Sequence, residues 1–346
     1  MSRIAFLFFI SIVIISCKKE YQPRTLDKIA IKAFKMDSTS IRAIKAIDKN
    51  TLYFAGSRGD VGYTKDGGKS WTIEYLRYQD TLIPHFRSIA FNGSDIFVLS
   101  IANPALLYKI AADKNKLVYV ENNNKVFYDA MRFFSDKIHG IAVGDPITNC
   151  PSVIVTDNGG DSWTKISCDN LPKFEQEEAF FAASNTNIKI IDNIIWIASG
   201  GKKARVLKSV DKGKTWQVYN TPIVQGNGPQ GIYSIDFYDK NNGIIIGGNY
   251  ANPEANIANK AITTDGGKTW QLVANGQNPA YKSCVQYVPN TNGKEIFAVG
   301  KTGIDFSNDG GITWKKVSNE SYYSIQFVNA TTAWLSGNNK IGKLVF

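Results

Sequence analysis

The sequence predicts an all-β fold: a seven-bladed β-propeller of four-stranded blades, closed by an N-terminal strand in the last blade. Three observations carry that reading: a short pattern recurring at nearly constant spacing, paired apolar runs upstream of each copy, and an unpartnered strand at the N-terminus. The pattern is a Ser or Thr, a loop of Asp/Asn and Gly, and a closing Trp. It reads T-K-D-G-G-K-S-W from Thr64, T-D-N-G-G-D-S-W from Thr156, S-V-D-K-G-K-T-W from Ser209, T-T-D-G-G-K-T-W from Thr263 and S-N-D-G-G-I-T-W from Ser307. The third positions, Asp66, Asn158, Asp211, Asp265 and Asp309, are separated by 92, 53, 54 and 44 residues. The first gap is two periods of 46, and a worn copy, A-A-D-K-N-K-L-V from Ala111, fills it with Asp113. Repetition at this period is the mark of radially arranged sheets.

Each copy suits a tight turn between antiparallel strands. Asp or Asn bonds its own backbone a residue or two on, and Gly accepts the positive φ such turns require. The Trp opens the returning strand and brings apolar area to the contact between units. Upstream runs alternate apolar and polar residues, as strands do. They are S-I-R-A-I from Ser40 with T-L-Y-F-A-G from Thr51, Y-D-A-M-R-F-F from Tyr128 with H-G-I-A-V-G from His139, and Y-S-I-D-F from Tyr233 with N-G-I-I-I-G-G from Asn242. After the last box come only three strands: Y-Y-S-I-Q-F from Tyr322, T-A-W-L-S-G from Thr332 and the closing K-I-G-K-L-V-F. The missing fourth is K-I-A-I-K-A-F-K-M from Lys28, whose pairing into the last blade would remove an exposed sheet edge. Length alone suits two domains, but a blade cannot bury its faces without both neighbours, so residues 27–346 are read as one propeller.

The chain opens with M-S-R and an apolar run from Ile4 to Ile15, too short to span a bilayer comfortably, ending at Ser16-Cys17-Lys18-Lys19. Residues 1–16 are read as a bacterial lipoprotein signal peptide, Cys17 as the lipidated first mature residue and residues 17–26 as a tether, with a plain signal peptide or membrane anchor as the alternative. The expected location is the bacterial cell envelope, lipid-anchored to the outer membrane on its periplasmic or surface face. Cys150 and Cys168 flank the third box symmetrically. They are either a disulfide across the hairpin or two free thiols set apart by a one-residue slip. Cys284 suits a small core residue.

Forty basic against thirty acidic residues give a net charge of +10, and loss of residues 1–16 removes Arg3 alone. The balance first of all favours solubility. No dense basic run speaks for nucleic acid. No His- or Cys-rich metal spacing, P-loop or dinucleotide fingerprint is present, and two histidines, His85 and His139, make a Ser-His-Asp triad improbable. Neither cofactor nor metal is expected.

Aligning the starts of the first strands places one residue per blade at the channel mouth: Arg42, Arg87, Asp129, Glu178, Tyr233, Lys282 and Tyr323. Arg and Lys bind carboxylate or phosphate, and Tyr offers a stacking face, so the ring is either a pocket for a polar ligand or a set of mutually paired charges. Loops between second and third strands add Arg58, Asp145, Lys202, Arg205, Tyr250, Glu254 and Lys301, and residues 249–259 exceed what a hairpin needs.

The repeated box is that of the Asp-box, or BNR, propellers, which include sialidases and sortilins; there the resemblance implies a structural role, far from the channel. F-Y-D-A-M-R-F from Phe127, G-I-A-V-G-D-P from Gly140, E-E-A-F-F-A-A-S from Glu177 and G-G-N-Y-A-N-P-E from Gly247 resemble the photosystem II stability/assembly-factor-like group, whose members are often labelled "oxidoreductase" or "glycosyl hydrolase". The resemblance implies a chaperone-like binding or assembly role, and together with the leader and the ring it gives the expectation of an envelope-anchored, non-catalytic, monomeric propeller engaging an envelope protein or a glycan at the channel mouth. The alternative is a carbohydrate-active enzyme: a glycoside hydrolase using Asp129 and Glu178 as acid and base, or a sialidase-like site using Arg42 and Arg87. For the latter, F-R-S-I at Phe86 only approximates the usual F-R-I-P, and no third Arg falls into place.

Overall fold

The computed structural model describes residues 21–111 and 114–346. The signal peptide, Cys17 and the worn box's Asp113 therefore lie outside the described residues. Every strand pair is antiparallel. A representative unit runs Tyr128–Phe133, Gly140–Gly144, Ser152–Thr156 and Thr164–Lys165 from inside out.

The strands form six hydrogen-bonded sheets, which corrects the expected count of seven blades. The reason is local. Residues 28–36, expected as a separate closing strand, run on into the first strand as one element, Ala30–Ala46, across an irregularity between Lys35 and Ser40 where Ser38 takes a positive φ. Its first half pairs with Thr332–Val345, itself continuous where two strands were expected, and its second half pairs with Leu52–Gly56. First and last units thus merge into one six-stranded sheet that also contains Asp60–Thr64, Thr72–Tyr75 and Ser324–Asn329. A second six-stranded sheet arises because Glu178–Ala179 and Gly200–Gly201 add themselves to Gln230–Phe237. The other four sheets have four strands each. Pairing of Ala30–Ala46 with Thr332–Val345 seals the ring without leaving an open edge there.

The five intact boxes lie between third and fourth strands, at the end of the sheets away from the mouth described below. In the first, Thr64 Oγ1 donates to Asp66 Oδ1 at 2.9 Å, and the Gly68 N–H donates back to Thr64 Oγ1 at 2.9 Å. Asp66 also accepts from the N–H groups of Lys69 and Ser70 and from the Ser70 hydroxyl at 2.6 Å. Those hydrogen bonds, the Ser70 ones first, hold its carboxyl well below the ordinary range. The third box substitutes Asn158 and keeps the pattern by reversing one donor: Asn158 Nδ2 donates to Ser162 Oγ at 2.8 Å.

In four of the five intact boxes the second glycine presses on the preceding unit; Gly213 of the Ser209 box lies nearest its own Trp216 and Ile195. A Cβ at Gly160 would fall 2.4 Å from the Phe97 ring, one at Gly68 would fall 2.4 Å from Phe34, one at Gly267 3.2 Å from Trp196 and one at Gly311 3.1 Å from Ile244. Each of these glycines also has a φ near +90°. Trp163 of the same box packs edge-on against Phe133 at 5.7 Å and against Phe97 at 6.4 Å. The core is therefore a series of apolar seams between adjacent sheets, such as Phe97, Leu107, Met131 and Ile154 in one and Trp196, Val206, Ile235 and Ile245 in another. Cys150 and Cys168 are joined by a disulfide across the third unit's outer edge, with Cα atoms 5.7 Å apart.

Gly160→Ala combines a disfavoured φ with a ring contact that cannot yield. It is expected to cost about 2–4 kcal/mol in urea unfolding, whereas Gly276→Ala, equally positive in φ but open in space, is expected to cost about half that.

Candidate functional site

The first strands line the channel, and four of the seven ring residues owe their position to a bulge. Arg42 is the extra residue between the pairs Ile41↔Gly56 and Ala43↔Ala55, and Arg87 the one between Phe86↔Ser100 and Ser88↔Leu99. Asp129 and Tyr233 are the unpaired residues of the corresponding irregularities in their sheets. A bulge turns one extra side chain out of the sheet's alternation, here towards the axis.

Residues 180–187 do not form a first strand at all; they cross the channel. Arg42 Nη1 donates to the Ala183 carbonyl at 3.0 Å, Asn185 Nδ2 to the Ile89 carbonyl at 2.8 Å, and the Met131 N–H to Asn185 Oδ1 at 3.0 Å. Ser184 Oγ donates to the Ser283 carbonyl at 2.6 Å, and Thr186 Oγ1 bonds Ser234 Oγ at 2.7 Å. Ser184 and Asn185 are fully buried, and Asn185 sits at φ 58°. This crossing divides the channel into two cavities that share none of their charged residues.

The upper cavity, of about 460 Å³, is lined by Arg42, Arg87, Tyr233 and Tyr323 from the predicted ring and by Asp145, Tyr250 and Lys301 from the loops. Its aromatic wall is ordered around Tyr233. That ring stacks on Phe181 at 3.9 Å, meets Tyr281 edge-on at 4.9 Å and Tyr250 edge-on at 6.3 Å, and donates its hydroxyl to the Pro229 carbonyl at 2.8 Å. The Arg42 guanidinium lies 4.0 Å over Tyr323.

Neither arginine has a carboxylate partner among the described residues. Arg42 is satisfied in part by Ala183 and leaves its Nε without a partner, while Arg87 reaches the Ala182 carbonyl at 3.5 Å and His85 Nε2 at 3.4 Å. Burial, followed by the charge of Arg42, brings Arg87 down to about 10, and burial with both arginines brings His85 down to about 4. The imidazole is thus neutral and the mouth's positive charge resides on the guanidiniums.

The remaining ring residues do not line the cavity. Asp129 is fully buried beneath it, and burial together with the charge of Asp145 pushes its carboxyl well up. Asp145, whose Oδ1 accepts from the Phe180 N–H at 2.7 Å, is raised by burial to about 6. Glu178 is buried in a latch: Arg205 Nε donates to Oε1 at 2.9 Å, Ser199 Oγ to Oε1 at 2.6 Å and the Glu175 N–H to Oε2 at 3.0 Å. Lys282 is buried against Asp305 at 2.7 Å and donates to Thr302 Oγ1 and the Gly303 carbonyl. Neither carboxylate of the Asp129 and Glu178 pair therefore faces the cavity. Among the loop candidates, Arg58 lines a separate small recess with Tyr75 and Ile83, Arg205 serves the Glu178 latch, and Lys202 and Glu254 are exposed away from the lining. Sequence reasoning missed Phe181, Tyr281 and the crossing segment. A signal existed, since the 53-residue step from Asn158 to Asp211 exceeds the period by about seven residues.

The described residues contain no group of His, Cys, Asp and Glu that could hold a metal. The BNR/Asp-box repeat model matches residues 261–272 and 305–316. The chain carries BNR repeats on a β-propeller. No curated protein matches the sequence. Among solved structures, "YCF48 bound to D1 peptide" superposes with a TM-score of 0.67 at 15% identity, over 94% of this chain and 100% of that one. YCF48 from Cyanidioschyzon merolae gives 0.65 at 17% identity, over 91% and 99%. The RRP9 WD40 repeats give 0.65 at 10%, over 94% and 99%. These identities establish a shared β-propeller fold, which propellers of unrelated roles share equally.

Asp145 supplies a pH test. Its folded-state pKa, about 6, lies above the ordinary carboxyl value, so the folded state binds the extra proton, and stability rises as pH falls from 7.5 through about 6. His85 acts in the opposite sense. Asp145→Asn, which keeps the acceptor for Phe180, is expected to lose that acid-side gain relative to wild type; urea midpoints at pH 7.5 and 5.5 measure the difference.

Proposed function

We propose that this protein is an envelope-anchored, non-catalytic binding or assembly propeller that holds an acidic polypeptide segment at the upper mouth of its channel. The observation that carries the reading is the pair Arg42 and Arg87, held side by side without a carboxylate partner and surrounded by Tyr233, Tyr250, Tyr281, Phe181 and Tyr323. Guanidiniums bind carboxylates in a fork, and flat rings accept peptide backbone and apolar side chains at small entropic cost. A cavity walled by aromatics, with two arginines free of carboxylate partners, suits an acidic chain segment. The solved YCF48 complex with a D1 peptide supports it as a precedent for peptide binding on the same fold.

The anchor is part of the proposal. Tyr21 and Arg24 both donate to the buried carboxylate of Glu295, Asn308 Nδ2 donates to the Arg24 carbonyl, and the Arg24 guanidinium lies 4.5 Å over Phe346. Glu295 lies in the turn between first and second strands, on the face opposite the Arg42 mouth. A lipid on Cys17 would lie four residue steps from Tyr21, at most about 14 Å along the chain. That arrangement sets the box face towards the membrane and turns the peptide-binding mouth away from it.

Two experiments test these statements. An array of acidic and neutral decapeptides is expected to retain the wild-type chain on acidic sequences, and Arg42→Ala/Arg87→Ala is expected to weaken that retention by roughly tenfold or more. Equal retention by both proteins on both peptide classes would overturn the reading. Cells expressing the full chain are expected to incorporate labelled palmitate, and Cys17→Ala is expected to abolish the label; label on the variant sinks the lipidation site.

A further inference from the structure

The lower cavity, of about 210 Å³, opens where the first strands end, on the far side of the crossing segment from Arg42 and Arg87. Its charged residues come from four elements: Lys45 on Ala30–Ala46, Arg132 on Tyr128–Phe133, Lys189 on Ile188–Ile191 and Asp236 on Gln230–Phe237. Asp236 is fully committed. It accepts from Lys189 Nζ at 2.5 Å, from the Phe237 N–H at 3.0 Å and from the Tyr287 N–H at 2.8 Å. Gln326 is committed too, bridging the Ala46 N–H and the Ile44 carbonyl.

What remains is positive. Arg132 donates to its own Met131 carbonyl and to the Asn185 carbonyl, and its Nε has no partner among the described residues. Lys45 makes no ion pair or hydrogen bond among the described residues. Gln286 uses its Oε1 for the Phe327 N–H at 2.7 Å, leaving its amide N–H groups without an acceptor. Three cations face one carboxylate that is already neutralised. Withdrawing two like charges from water into one recess is unfavourable unless a counter-charge joins them. In keeping with that, burial and then the Arg132 charge bring the Lys45 ammonium down to about 8.

We infer that this lower mouth is a binding site for a phosphate-class oxyanion, held by Lys45, Arg132 and the Gln286 amide. The residual charge of two suits an oxyanion of one or two charges, the Arg132 Nε–H and the Lys45 ammonium remain to donate to its oxygens, and the volume holds one phosphate with a few waters. The site does not depend on peptide binding at the upper mouth. A free phosphate, with one or two charges near neutral pH, and the phosphodiester of a membrane lipid headgroup, with one, present the same tetrahedral phosphoryl oxygens to these donors.

The test is thermal unfolding of the full chain at pH 7 in inorganic phosphate against chloride of equal ionic strength. About 10 mM phosphate is expected to raise the wild-type Tm by about 2 °C or more. Lys45→Met is expected to abolish that rise and Lys45→Arg to keep it, while Arg42→Ala/Arg87→Ala at the other mouth keeps it in full. Lys45→Met removes a repulsion and is expected to fold; if it does not, Lys45→Gln reads the same loss. No phosphate-dependent rise in wild type, or an equal rise in the neutral variants, overturns the inference. Repeating the titration with glycerophosphoglycerol separates the sources: a rise at lower concentration than with inorganic phosphate assigns the headgroup, and the reverse order assigns the free ion.

Discussion

Contact between the box glycines Gly68, Gly160, Gly267 and Gly311 and a large side chain of the preceding sheet is the constraint on which the rest of the molecule depends. A four-stranded sheet exposes two apolar faces and is stable only when both are covered. The box meets that need with a turn held by its own hydroxyl and carboxylate, which lets a glycine at positive φ press on the ring or branched chain next door. Because Gly68, Gly160, Gly267 and Gly311 all do this in the same direction around the ring, each sheet fixes the angle of the next. Asn158 demonstrates what the turn requires. It has no charge, yet one donor reversal towards Ser162 preserves the geometry, so shape rather than ionisation is what the box position selects.

A ring fixed at its rim leaves the axis free for function, and residues 180–187 occupy it. By bonding to Ile89, Met131, Ser234 and Ser283 on separate sheets, this segment acts as a bulkhead as well as a strut. Without it the channel would be one polar tube. With it, the two ends hold different chemistry: aromatic rings, four of them tyrosines, around two arginines above, and mixed aliphatic and phenylalanine walls around a lysine and an arginine below.

The repeats and strand pairs were legible because turn chemistry is local and each box repeats it. The number of sheets was not, because nothing local announces that residues 36–39 continue a strand with an irregularity instead of ending it. The mouth was legible in part for a related reason. Aligning first strands located Arg42, Arg87 and Tyr233 because bulges recur at the same place in successive sheets. Glu178 failed the same alignment: it belongs to Glu178–Ala179, which pairs with Gly200–Gly201, and its partner Arg205, which sequence offered as a separate loop contact, opens the strand Arg205–Ser209. Lys282 failed because its counter-charge, Asp305, lies on the third strand of its own sheet, a pairing set by register. Long-range partners of this kind are determined by tertiary closure, and no motif encodes them.

Unbalanced charge at both ends of the channel can be weighed against the whole molecule's stability. Two like charges separated by roughly 4–8 Å at an effective dielectric near 20 repel by on the order of 2–4 kcal/mol. Folded domains retain only about 5–15 kcal/mol in total. Arg42 with Arg87, and Lys45 with Arg132, are two mutually repelling pairs, while other buried cations among the described residues have their answer: Lys282 has Asp305, Arg205 has Glu178, and Lys260 has the carbonyls of Gln277 and Pro279. Among the described residues these four line the two cavities without a direct ion pair, with Asp129 acting only at a distance on Arg87 and Asp236 on Arg132. Random tolerance of surface charge would scatter such residues over the rim, where solvent screens them at little cost. Their concentration on the axis, on opposite sides of one bulkhead, is the distribution expected when the missing counter-charges are supplied by ligands.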